Sequence, residues 1–175
     1  MPAQKFSPLK SIACFAITLL LTGVPLAEVK AQESIIEKNT GLQPTITPVE
    51  SKINDIVLHA MSLIDTKYQY GGKSRETGFD CSGFVGYVYR HAVDMVLPHN
   101  AYQISRVGRK VNQAELQPGD LVFYNTLNRA FSHVGIYVGE DRFVHAPRRG
   151  RAVEIVQMTD RYWRHRYNGA RRLLN

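Results

Sequence analysis

The apolar residues of this 175-residue chain change their spacing once, and that change restricts the fold more than any other feature. Ile53, Ile56, Val57, Ala60, Met61 and Ile64 recur every three or four residues, and so do Phe84, Val85, Val88, Tyr89 and Ala92. That is the period of a helix with one buried face. From about Asp120 the pattern becomes that of strands. "LQPGDLVFY" gives a Pro-Gly turn and then a strand. "SHVGIYVGEDRFVHAPRRGRAVEIVQM" gives three strands with two turns, "TDRYWRHRY" a short helix or turn, and "NGARRLL" a last strand. Helices first and antiparallel strands second define an α+β domain, its N-terminal helices packed on a central antiparallel sheet.

Local signals set the limits of the helices. Thr47 and Glu50 form a capping box, with Pro48 at the first helical position. His59 reads as an exposed residue of that helix. The second helix is predicted over Cys81–Val93, capped by Asp80. Gly83 and Gly86 lie inside it and each costs about 1 kcal/mol relative to Ala, which points to close packing against the helix. Residues 66–80, with Gly71, Gly72 and Gly78, read as a loop.

The N-terminus has a different character. Lys5 and Lys10 precede the apolar run of residues 11–24, "SIACFAITLLLTGV". A membrane span needs about 20 residues, so this run is short for one. Val29 and Ala31 suit the −3 and −1 positions of a cleavage site. Residues 1–31 are therefore expected to be a signal peptide, an uncleaved anchor being the alternative. Residues 32–46 read as a flexible linker and 47–175 as the folded domain. The expected location is the periplasm or the cell wall and exterior, with no stable membrane span after cleavage.

Export changes the meaning of the cysteines. Cleavage removes Cys14 and leaves Cys81 without a disulfide partner. A lone thiol in an oxidising compartment favours a chemical use, a buried inert cysteine being the bland alternative. Cys81 follows the N-cap Asp80. A helix N-terminus carries about half a positive charge and free N–H groups, which favour a thiolate and can hold an oxyanion. Asp80 works against the thiolate, so a positive group is expected nearby.

Two of the six histidines suit that role. His133 and His145 flank Gly139-Glu140-Asp141. A three-residue connection pairs Gly135 with His145 and Tyr137 with Phe143, which puts both imidazoles on one face. A two-residue turn puts them on opposite faces. Gly135 leaves space above the sheet, and the second helix is the expected visitor there. The result is a nucleophile, Cys81, a base, His133, and an orienting group, His145. The same three residues could bind zinc, but the close ligand spacing typical of zinc is missing, so no metal and no cofactor are expected.

The mature charge falls from +7 to +5 on loss of Lys5, Lys10, Lys30 and Glu28. In an exported protein the C-terminal arginines favour an anionic envelope polymer, not nucleic acid, or are simply a solvated surface.

"YQYGG", "FDCSGFVGYVY", "LQPGDLVFY" and "SHVGIYVGEDRFVHA" together resemble the four signature blocks of the NlpC/P60 cell-wall cysteine peptidases, over about residues 51–175. The resemblance implies a papain-like fold and cleavage of peptide bonds in peptidoglycan stem peptides. It implies Cys81 as nucleophile, His133 as base and His145 as third polar residue, with Tyr70, Asp80 and Ser82 lining the site. A murein endopeptidase acting as a monomer is the expectation. A non-hydrolytic wall-binding module, or an amidase or acyltransferase on the same fold, is the alternative.

Overall fold

A computed structural model describes residues 46–174 of the chain. The expected signal peptide, and the linker apart from Ile46, lie outside the described residues.

The first helix, α1 (Pro48–Ser62), begins as its sequence requires. The Thr47 hydroxyl accepts from the Glu50 N–H at 3.2 Å, and the Glu50 carboxylate accepts from the Thr47 N–H at 2.8 Å. Its buried stripe is Ile56 and Ala60, continued by Leu63 just beyond the helix, while Met61 faces solvent. The second helix, α2 (Cys81–Val93), ends in a left-handed cap at Asp94. Gly83 in α2 is a forced choice: a Cβ there would lie 2.0 Å from the carbonyl oxygen of Gly72. The loop before α2 contains a small hairpin, β1 (Lys73–Ser74) with β2 (Gly78–Phe79), which the sequence pattern does not reveal.

The remaining strands form a six-stranded antiparallel sheet in the order β3-β8-β4-β5-β6-β7. They are β3 (Arg109–Val111), β4 (Leu121–Tyr124), β5 (His133–Gly139), β6 (Arg142–His145), β7 (Glu154–Gln157) and β8 (Tyr167–Arg172). Two short helices, α3 (Ala101–Ile104) and α4 (Arg161–Arg164), complete the domain. The last strand inserts between β3 and β4, and Arg172 locks it by a two-pronged ion pair to buried Asp120, both contacts 2.7 Å.

Each sheet face has its own core. Ile56, Phe84, Val85 and Val88 of the helices pack on Phe123, Val134, Ile136 and Val144. On the other face Tyr124, Tyr137, Phe143 and Met158 gather beneath Trp163 of α4. Alternation along β5 puts His133 on this second face, opposite the helices. The expectation that α2 lies over Gly135 is therefore corrected. The Phe143 and His145 side chains fill that space, and a Cβ on Gly135 would lie 2.6 Å from Phe143 Cδ2 and 3.2 Å from His145 Cβ.

The β5–β6 register is the expected one, reached by another route. Tyr137 pairs with Phe143 and Ile136 with Val144. The turn, however, has only two residues, Glu140 and Asp141, both left-handed at φ 52° and 53°, between the paired Gly139 and Arg142. This is the two-residue geometry that matches strand twist. By itself it would move His145 to the wrong face. A bulge at Val138, between Tyr137 and Gly139, adds the one residue that restores the face.

Candidate active site

The site lies where the tip of α2 meets the start of β5. Asp80 caps α2, its Oδ1 accepting from the Gly83 N–H at 2.7 Å and its Oδ2 from the Gly71 N–H at 3.0 Å. The cap thus ties the glycine loop to the helix and fixes Cys81 as the first helical residue. Ser82 is buried and its hydroxyl lies 2.9 Å from Asp80 Oδ1 and 3.1 Å from the His99 carbonyl. Asp80 is thus tied to the loop and to α2, and Ser82 to the segment that follows α2.

The Cys81 sulfur is met by the backbone N–H groups of Val134, Ser82 and Cys81 itself, which lower its pKa. They do not prevail. Burial, reinforced by the Asp80 charge, pushes the thiol up to about 11. The expected thiolate activation by the helix terminus is thus outweighed in the resting structure. Val134 also locates the sulfur beside β5, one residue from His133.

His133 Nε2 and His145 Nδ1 share a hydrogen bond of 2.8 Å between rings set at 88°. Both rings are buried. Burial lowers His133 to about 4. It also holds His145 well below the usual imidazole range, helped by the charges of His133 and Arg151. Trp163 stacks on His133 with centroids 5.6 Å apart and meets His145 edge-on at 4.8 Å, so the pair has an aromatic roof.

Other residues also gain a definite place around the site. Tyr70 is 81% exposed, whereas Tyr68 is half-buried and its phenol is raised by burial and by the charges of Cys81 and Asp80. Tyr68 thus lies near the thiol in the same loop. A cavity of about 260 Å³ lies on the outer side of α2, lined by Ser82, Gly83, Gly86, Tyr87 and His99 among others. His59 is not simply exposed: it is half-buried, with its ring 5.7 Å from Tyr87 and 5.8 Å from His91. Trp163 could have been suspected as the chain's single tryptophan. Among the described residues no group of three potential metal ligands gathers, and no helix is long and apolar enough to cross a membrane.

A helix-borne thiol beside a histidine pair on an antiparallel sheet is the layout of a cysteine hydrolase. Residues 65–172 match the NlpC/P60 family, and the chain belongs to it. Murein DD-endopeptidase MepH of Escherichia coli is 40% identical over 117 residues, 65% of this chain and 43% of that protein. Gamma-DL-glutamyl hydrolase of Bacillus subtilis is 40% identical over 121 residues, 69% of this chain and 29% of its own. The chain therefore spans less than half the length of these two relatives. A solved NlpC/P60 family protein from Bacillus cereus superposes with a TM-score of 0.66 at 32% identity, covering 70% of this chain and 40% of that one.

Proposed function

We propose that this chain is an exported peptidoglycan endopeptidase that hydrolyses stem-peptide bonds with Cys81, His133 and His145. The observation that carries this reading is the His133–His145 hydrogen bond of 2.8 Å beside a thiol at a helix start. Membership of the NlpC/P60 family and likeness to a murein endopeptidase support the substrate class. Residues 1–31 supply export, and the chain acts as a monomer.

His133 Nε2 is engaged with His145, so Nδ1 is the nitrogen for sulfur. As sulfur attacks the scissile carbonyl carbon, the thiol proton moves to His133 Nδ1. The carbonyl oxygen becomes an oxyanion, held by N–H groups at the start of α2. Collapse breaks the C–N bond, the leaving nitrogen takes the proton from His133, and a thioester remains on Cys81. Water then attacks the thioester and gives a proton to His133. The carboxyl product leaves, and His133 returns the proton to sulfur. Tyr70, Asp80 and Ser82 line the approach, Asp80 and Ser82 by shaping the loop.

The test is digestion of purified peptidoglycan, with fragments identified by mass. New amino and carboxyl ends within stem peptides, lost in Cys81→Ala, are expected. Binding without cleavage would refute the enzyme reading, and cleavage of other amides alone would refute the substrate class.

A further inference from the structure

The histidine pair poses a proton problem that the triad does not solve. Burial keeps His145 neutral, so its ring carries one N–H. For His133 to accept a proton at Nδ1, its own N–H must sit on Nε2 and point at His145 Nδ1. His145 Nδ1 must then be the acceptor, and its single proton belongs on Nε2. That Nε2 is buried and has no hydrogen-bond partner among the described residues.

One group faces it. Glu154 is directly opposite His145 in the β6–β7 register, so both side chains leave the same face. Its Oε1 lies 3.8 Å from His145 Nε2. Its Oε2 accepts from Arg151, leaving Oε1 free toward the ring. We infer that Glu154 is a positioning residue that selects the Nε2–H tautomer of His145 and thereby leaves His133 Nδ1 open to the thiol. This rests on the peptidase reading above.

The alternative tautomer exposes the disadvantage of losing Glu154. A proton on His145 Nδ1 would turn the Nε2 lone pair toward a carboxylate and push the His133 proton onto Nδ1. His133 would then present a donor to the sulfur and could not act as base. Contacts of catalytic groups are commonly long before substrate binds, so 3.8 Å is compatible with this role. His133, His145 and Glu154 thus form one polar line across three adjacent strands, β5, β6 and β7.

The alternative role for Glu154 is a plain surface ion pair with Arg151, and the test separates the two. Heteronuclear NMR of the histidine ring nitrogens, near neutral pH, reads the tautomer without turnover. It should show His145 protonated on Nε2 in the wild type and equally in Cys81→Ala. Glu154→Ala should lose that signature and reduce kcat/KM by roughly 10- to 100-fold, mainly in kcat, the worth of one hydrogen bond to a charged group. Glu154→Gln keeps an acceptor oxygen and should restore both. Arg151→Met breaks the ion pair yet keeps the carboxylate, and should keep the signature. Should Glu154→Ala not fold, Glu154→Val replaces it as a strand-compatible residue. An unchanged signature in the acceptor-less variant overturns the inference, as does a signature lost equally in Arg151→Met. Activity persisting in Cys81→Ala would instead overturn the peptidase reading while leaving the tautomer result standing.

Discussion

Acid should destabilise this fold through His133, and the size of the effect reports the resting charge of the buried Cys81–His133 pair. Burial lowers the imidazole from 6.5 to about 4. Below pH 6.5 the unfolded chain binds a proton at this residue and the native chain does not. The stabilisation is therefore complete above the unfolded value and is lost as pH falls toward the folded one. The gap between the two values corresponds to about 3 kcal/mol, a large part of the roughly 5–15 kcal/mol that holds a domain together. His145 acts in the same direction. Urea unfolding, followed by circular dichroism at about pH 7 and about pH 4, measures the loss in wild type and in His133→Gln. Carboxylates titrate in both proteins and cancel in the comparison. The wild type should lose about 3 kcal/mol more than the variant over this range. Equal losses would refute the neutral, buried imidazole. A smaller loss in the wild type would mean that His133 is already protonated and paired with a Cys81 thiolate. That outcome would contradict a thiol raised by burial and by Asp80 to about 11.

Four further outcomes follow from the same geometry. A thiol alkylator should abolish hydrolysis and a metal chelator leave it unchanged, as measured on purified peptidoglycan; the reverse would revive a zinc site. The same substitution should have opposite signs at two places in α2. A Cβ on Gly86 meets nothing within 4 Å among the described residues, so Gly86→Ala should stabilise by about 1 kcal/mol in denaturant titrations; Gly83→Ala, 2.0 Å from the Gly72 carbonyl oxygen, should destabilise by roughly 1–3 kcal/mol. Gly135→Ala should cost a similar roughly 1–3 kcal/mol, and because the new methyl would press on His145 it should also reduce kcat in a peptidoglycan assay. His145→Asn or His145→Gln should retain measurable turnover while His145→Ala retains much less, since an amide oxygen can still accept from His133.

Much of this arrangement is legible in the sequence because local chemistry decides it. The capping box of α1, the Asp80 cap of α2 and the period change from helix to strand depend on neighbours within a few residues. Structure and sequence agree there. The small hairpin at 73–79 and the edge strand at 109–111 were not legible. They are only 2 and 3 residues per strand, too short to show a period, and exist because a partner strand holds them. His59 is similar: its position on α1 is local, but its half-burial comes from Tyr87 and His91 on another helix.

The site itself depends on one fact that no local rule supplies. Counting residues through Glu140 and Asp141 as a two-residue turn sends His145 to the helix-facing side, and counting three sends it to the side of His133. The structure uses the two-residue turn and then corrects the count at Val138. Nothing in "YVGED" distinguishes a bulge from a longer turn, because both consume one extra residue. What decides between them is the packing demanded beyond the turn. Val134, Ile136 and Val144 must meet the helices, while Tyr137 and Phe143 must meet Trp163. A slip of one residue would invert every one of these side chains on one strand. The register is therefore fixed by the two apolar cores, and the histidines inherit it. The same register carries Glu154 into line with His145, which is why a residue ordinary in the sequence of β7 stands beside a buried ring nitrogen of the pair that lacks a hydrogen-bond partner among the described residues.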